Sequence, residues 1–533
     1  MKRMLFLALI LTVLTGCVST NDSDTAKPRF EEQKATVEFV IEGGLPDIGS
    51  FSGKQVKNYF NDEVTNEFVP RDDYGTIIPF IGAKKEFSTE FDTVFPYTYN
   101  LFGLCTQDGR IVMDINPEYE RFEYRQTNDG FGYYVVYKAA PEDIASYYSS
   151  ATCIIPDDGS WCITLENANS PVKAENGVIA VRCGFTPNTI IYFYDYEGNL
   201  INKIEDYAVY INYSDGLALV GDVDNAYERK YFFINEEGER IIGPFENAYP
   251  FDGNGVTCLT DFNGETYLID KTGKRLTEKS YRDILKSYST DGKKSAFVAL
   301  RDDEPSDADI FNEKGEYIAT VESDEDVLYG VELFFPSDGD LIYTLGNNWQ
   351  KNWKRISDGS DFCSKEFGVM PNYIYYDMFE SDDFYFYHND ITNFGVVFDK
   401  DGETVVSDEQ MCSVESINPD LNIIVYTTGT RDYSKGIDTT VAHIYDYKNK
   451  RDIFTAKDSD TQIYFADENK EYAVIYEEKT HLLDLNTGKY VFENVDEVSV
   501  QIIGGGTYFN VMNNSVYTLY DKNKNVLVRS VYE

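Results

Sequence analysis

Histidine is nearly missing from this chain: His388, His443 and His481 are the three in 533 residues. Imidazole-based metal or acid–base sites therefore have few places to form, and no His-Glu-x-x-His pattern occurs. A Gly-x-Ser-x-Gly elbow is absent too, as is a phosphate-cradling glycine loop ahead of a helix. Gly504-Gly505-Gly506 instead precedes a strand-like run and reads as a turn or bulge. Positive charge is scarce: Lys+Arg is 47 against 92 Asp+Glu, a net charge of −45. Such a surface repels nucleic acid and anionic head groups, which excludes functions that track phosphates. Past the first 17 residues no stretch approaches the 18 consecutive apolar residues of a membrane-spanning helix. A disulfide framework of the small secreted kind is missing as well. Of eight cysteines, setting Cys17 aside leaves an odd number scattered along the chain. Cys105, Cys183 and Cys258 lie in apolar, strand-like runs, where a thiol acts as a small hydrophobe. Cys153 and Cys162 flank Asp157-Asp158-Gly159, and hairpin register makes them diagonal neighbours rather than direct partners.

What is present begins with an export signal. Lys2 and Arg3 give a positive start, Leu5 to Leu14 is apolar or hydroxylic, and Leu14-Thr15-Gly16 places small residues before Cys17. Ten helical residues rise only about 15 Å, half of a ~30 Å hydrocarbon core, so this stretch does not span. The tetrapeptide resembles the bacterial lipobox. That resemblance implies cleavage after residue 16, lipidation (palmitate among the acyl groups) at Cys17, and anchorage at the extracytoplasmic face of the cell membrane. Residues 17–35, polar and rich in Ser, Thr, Asn and Asp, read as a flexible tether.

The body is no solvated polyacid. Aromatics make up 15% of residues, with 43 Tyr and 35 Phe, and these favour strands. A short pattern recurs: Tyr192-Phe-Tyr-Asp195-Tyr-Glu-Gly198, Phe232-Phe-Ile-Asn235-Glu-Glu-Gly238, Tyr267-Leu-Ile-Asp270-Lys-Thr-Gly273, Ile310-Phe-Asn312-Glu-Lys-Gly315, Val396-Val-Phe-Asp399-Lys-Asp-Gly402 and His443-Ile-Tyr-Asp446-Tyr-Lys-Asn449. Weaker copies sit at Asp484 with Gly488, Asp521 with Lys524, Gly109, Gly159 and Asp358-Gly359. The spacing, roughly forty residues, is that of propeller-type repeats. An Asp or Asn opening a type I turn, with a left-handed residue three places on, predicts a hairpin with a G1 bulge. The two residues before the Asp or Asn are both apolar, which predicts strands buried on both faces, as in a blade wedged between neighbours. Asn263-Gly-Glu-Thr-Tyr-Leu-Ile-Asp-Lys-Thr-Gly-Lys274 resembles the bacterial WG repeat, although the naming Trp is absent from every copy. That resemblance implies a β-repeat array and transfers no catalytic residue.

The expected fold is all-β, a β-propeller-type array of ~40-residue units forming tandem propellers or one large ring. The dividing line is placed near residue 290, giving repeats 36–290 and 291–533 unless the array is continuous. Val526 to Val531 reads as a last strand through which the two chain ends share a blade. Candidate ligand contacts are Trp349, Lys351, Trp353 and Arg355, a Trp pair in a basic cluster within an acidic chain. His443 and His481 read as strand residues standing where other copies carry Tyr or Phe. Asp399-Lys-Asp401-Gly402 has its Gly too early for a calcium loop. Asp222-Val-Asp224-Asn225 is the better oxygen-ligand set, with calcium held loosely if at all and no cofactor expected. The expected function is a non-catalytic binding scaffold, meeting a protein or glycan at the envelope and touching the membrane only through its lipid. The alternative is a polysaccharide-active enzyme with carboxylates at a propeller centre.

Overall fold

A computed structural model describes residues 67–531 with interruptions, the longest at 88–96, 139–150, 223–229, 289–294, 302–306, 322–331, 335–341, 346–351 and 361–383. The lipobox and tether, residues 1–35, lie outside the described residues, as do Trp349, Lys351, Asp224, Asn225, Asp401 and Gly402.

The motif turns form as their chemistry dictates. In Asp195–Gly198, Asn235–Gly238, Asp270–Gly273, Asn312–Gly315 and Asp521–Lys524, the fourth residue's N–H donates to the first residue's carbonyl at 2.9–3.1 Å. The Asp or Asn side chain accepts the N–H four residues on, for example Asn199 to Asp195 at 2.7 Å and Lys274 to Asp270 at 3.0 Å. The fourth residue is left-handed throughout, Lys524 included (φ 64°), and in the four turns that lead into an outer strand, all but Asp270–Gly273, the ladder slips by one residue beside it. The copy at Asp446 differs from expectation. Asn449 donates its N–H to the Asp446 carboxylate, and Lys450 takes the left-handed place (φ 50°).

These turns punctuate antiparallel meanders. Eleven sheets of three or four strands follow in chain order among the described residues, with one two-stranded ribbon, Arg431–Asp432 with Ile437–Asp438, inside the ninth. Numbered from the N-terminus, sheets 1 to 11 span 77–116, 119–168, 173–204, 209–245, 247–270, 283–321, 332–355, 384–408, 411–455, 462–495 and 497–531. The boundary expected near residue 290 falls between strands Asp283–Tyr288 and Ser295–Leu300, which pair along their length in sheet 6. A division there would split a hairpin.

Burial follows strand position. Second strands such as Val178–Cys183, Leu217–Asp222 and Ser295–Leu300 are buried almost without a break, while last strands such as Leu200–Ile204 and Tyr317–Val321 are largely exposed. First strands of neighbouring sheets meet, as Lys173–Glu175 does with Val209–Ser214, so first strands lie towards the axis and last strands outside. Neighbouring sheets then pack face to face along most of the series. Separate apolar clusters join sheets 2–3, 3–4, 4–5, 5–6, 8–9, 9–10 and 10–11, and Ile356 joins sheet 7 to sheet 6. This is a β-propeller-type array.

The last sheet packs on the first. One cluster holds Phe80, Leu104 and Met113 of sheet 1, Tyr134 and Ile155 of sheet 2, and Ile503, Leu519 and Leu527 of sheet 11. Ile81 N–H donates to Asn510 Oδ1 (3.1 Å), Ser530 Oγ to the Gly82 carbonyl (3.2 Å), and Lys84 pairs with Glu497. The turn glycines show the same order. A Cβ on Gly238, Gly273 or Gly315 would meet Ile204, Ile242 or Leu276, the first two from the outer strand of the preceding sheet and the last from the segment after its final strand. On Gly109 of sheet 1 it would lie 2.5 Å from the carbonyl oxygen of Leu527 in sheet 11. Sheet 1 thus treats sheet 11 as its predecessor, so the first and last described sheets are neighbours. Closure is by stacking: Val526–Val531 pairs within sheet 11, with Val516–Asp521, rather than in a blade built from both chain ends.

Candidate interaction site

The first-to-second and third-to-fourth strand turns of a meander emerge on one face of the array. On that face, three half-exposed rings from sheets 2 and 3 form a column. Phe131 stacks on Tyr196 with centroids 4.0 Å apart and planes 12° from parallel, and on Trp161 at 6.3 Å and 17°. Buried Tyr133 stacks on Phe131 from within the sheet (5.5 Å, 17°).

Local chemistry places each ring. Phe131 follows a tight turn in which Gly130 N–H donates to the Thr127 carbonyl (3.0 Å) and Phe131 N–H to Thr127 Oγ1 (3.0 Å). Trp161 leaves the Pro156–Gly159 turn of sheet 2 and donates its indole N–H to the Tyr196 carbonyl of sheet 3 (3.0 Å). Tyr196 is the second residue of the Asp195–Gly198 turn, and a Cβ on Gly198 would lie 2.8 Å from Trp161 Cδ2. Its hydroxyl donates to Asp129 Oδ1 at 3.4 Å. Burial raises the Tyr196 pKa, against hydrogen bonding that lowers it. Asp129, Asp158 and Glu197 are exposed around the column. The result is an aromatic strip with an acidic rim, on which Arg or Lys stems can lie while their heads reach carboxylates.

The sequence-derived candidates fare unevenly. Trp353 and Arg355 lie in the third strand of sheet 7, Asn352–Arg355, with Trp353 opposite Thr344 and Arg355 opposite Ile342. Asp222 is paired with Arg240 at 3.4 Å, and its partners in that set, Asp224 and Asn225, lie outside the described residues. Among the described residues no group of three His, Cys, Asp or Glu side chains is placed to hold a metal. Asp399 accepts Glu403 N–H at 2.9 Å, as a hairpin-turn residue does. His443 lies against Tyr426 (4.9 Å, 13°) with Nε2 at 2.9 Å from Thr428 Oγ1, and His481 packs on Tyr490 of its own sheet, sheet 10. Burial lowers both histidine pKa values. They pack among aromatics, as strand residues replacing Tyr or Phe should. Carboxyls made weaker acids by burial occur at Asp157 and Asp467. They belong to sheets 2 and 10 and do not form a pair. Cys153 and Cys162 are free thiols, and the ladder sets Cys153 opposite Thr164, making Cys162 its diagonal neighbour.

No family model matches the chain, and no curated protein matches it. Solved structures similar to it include a eukaryotic initiation factor (10% identity, TM-score 0.40, 72% of this chain and 98% of that one). Others are the Dos1 propeller (11%, 0.28, 69% and 93%) and BamB from Moraxella catarrhalis (8%, 0.25, 64% and 92%). Likenesses this distant leave the site to be judged on its own geometry.

Proposed function

We propose that the protein is a non-catalytic docking scaffold of WG-repeat type, held by a lipid on Cys17 at the extracytoplasmic face of the membrane. Its seam between sheets 2 and 3 takes a basic segment of a protein partner. The observation that carries this reading is the half-exposed Trp161–Phe131–Tyr196 column rimmed by Asp129, Asp158 and Glu197. The charge of −45 favours a cationic partner over an anionic one and speeds encounter at low salt. Trp349, Lys351, Trp353 and Arg355 remain a second contact candidate, of opposite charge to the seam.

The test uses the full chain in detergent against an array of Lys/Arg-rich and acidic peptides and a glycan array. Basic peptides should bind, more weakly as salt rises. Phe131→Ala with Asp129→Asn should cost roughly tenfold in affinity, from lost contact worth about 0.5–1 kcal/mol per cation–ring pair plus a rim charge. Binding to glycans and not to basic peptides would overturn the reading, as would unchanged affinity in a folded variant. The anchor is tested by fatty-acid labelling, which should be lost in Cys17→Ala.

A further inference from the structure

Sheet 2 brings two thiols together across the turn that presents Trp161. Cys153 lies in the third strand, Ala151–Pro156, 3% exposed. Cys162 is half-buried, immediately after Trp161 and before the outer strand Ile163–Ala168. Diagonal positions of a regular ladder stand about 7–8 Å apart, slightly beyond bridging distance. Cys162 is outside that ladder, and the ladder itself slips between Ala151 and Cys153. The Cys162 side chain packs against the cluster that contains Cys153, and the two thiols are close enough to perturb each other's titration. Both belong to the closure cluster, in contact with residues of sheets 1, 2 and 11. Two other described cysteines engage different groups: Cys258 donates to the Ile284 carbonyl at 3.6 Å, and Cys412 lies 3.0 Å from Thr427 Oγ1.

We propose that Cys153 and Cys162 are a disulfide site whose oxidation fastens the 156–162 turn and thereby fixes Trp161 in the aromatic seam. The effect on binding rests on the docking role of the seam; the disulfide does not. Cys162 is the attacking thiol, being the more exposed, and the neighbouring Cys153 lowers its pKa while that of Cys153 is raised. Its thiolate attacks one sulfur of an oxidising disulfide, either a small-molecule disulfide or an oxidoreductase, and expels one thiolate. Cys153 then loses its proton and attacks the Cys162 sulfur of the mixed disulfide, and the second thiolate leaves. Two protein thiols are oxidised to one disulfide, the oxidant is reduced to two thiols, and the two protons pass to them. An extracytoplasmic address supplies such oxidants.

The full chain is treated with oxidised glutathione or with dithiothreitol, alkylated under denaturing conditions and mapped by mass spectrometry. A 153–162 linked peptide, two hydrogens lighter than its thiol form, is expected after oxidation and absent from Cys162→Ser. Hydrogen exchange across 156–163 should slow at least threefold on oxidation. Full alkylation of both cysteines after oxidant, a glutathione adduct that does not resolve, or linkage to another cysteine would overturn the proposal. A linked peptide with unchanged basic-peptide binding upholds the disulfide and overturns the seam reading. Binding that is redox-insensitive and free of the linked peptide, yet lost in Phe131→Ala, does the reverse.

Discussion

Gly198 measures how tightly one sheet is seated on the next. Its φ is +80°, and a Cβ there would stand 2.8, 3.0 and 3.1 Å from three indole carbons of Trp161. Gly264 has nearly the same backbone (φ +79°) with nothing within 4 Å of its added Cβ. Gly264→Ala should therefore cost only the left-handed penalty, about 1–2 kcal/mol. Gly198→Ala adds the overlap with a ring held by its indole hydrogen bond, another 1–3 kcal/mol or so. Peptide-level hydrogen exchange of strands Ile190–Asp195 and Leu200–Ile204 reads this locally, since sheets of such an array open in neighbouring units. Exchange in that hairpin should accelerate about tenfold more in Gly198→Ala than exchange around residue 264 does in Gly264→Ala, each 1.4 kcal/mol being a factor of ten. In a Trp161→Ala background the excess should vanish. Equal acceleration in both variants, or an excess that survives without Trp161, would refute inter-sheet contact as the reason for glycine.

Two further outcomes follow from buried ionisable groups. Burial raises many tyrosines, Tyr194 and Tyr472 to about 12 from an ordinary 10. A folded value above the unfolded one means stability is complete below about pH 10 and is lost as pH climbs towards 12. Tyrosinate absorbance should lag and then rise together with loss of circular dichroism; smooth titration near 10 with unchanged dichroism would contradict the packing. Lys286, its side chain 1% exposed, pairs with Asp252 at 2.8 Å between sheets 5 and 6. Lys286→Met should destabilise by about 3–5 kcal/mol by leaving a buried carboxylate, and adding Asp252→Asn should recover most of it, read as urea midpoints.

The sequence made the turns and the two-sided burial legible, because a left-handed residue after an Asp or Asn leaves a local mark. It marked the third strand of the four-stranded sheets, while their most deeply buried strand, the second, is largely apolar and carries no fixed motif. Closure was half legible: a strand at 526–531 was foreseen, but stacking on sheet 1 depends on packing between residues such as Ile81 and Asn510, hundreds of positions apart. The aromatic seam was missed for the same reason. Phe131, Trp161 and Tyr196 sit in three different turns, each unremarkable alone, and adjacency comes only from the array. One hint was available: Trp161 directly follows a motif turn in the sheet before Gly198, and it is the one Trp outside the Trp349/Trp353 cluster.

Stacking the first sheet on the last also has a cost in time. Sheet 1 is complete once residue 116 has been made, but its partner face, Ile503 to Leu527, follows roughly four hundred residues later. At about 5–20 residues per second, the apolar flank of sheet 1 waits some tens of seconds for its cover. That interval is the period of greatest exposure to aggregation, and holdase chaperones would bind the N-terminal sheets in preference to the C-terminal ones.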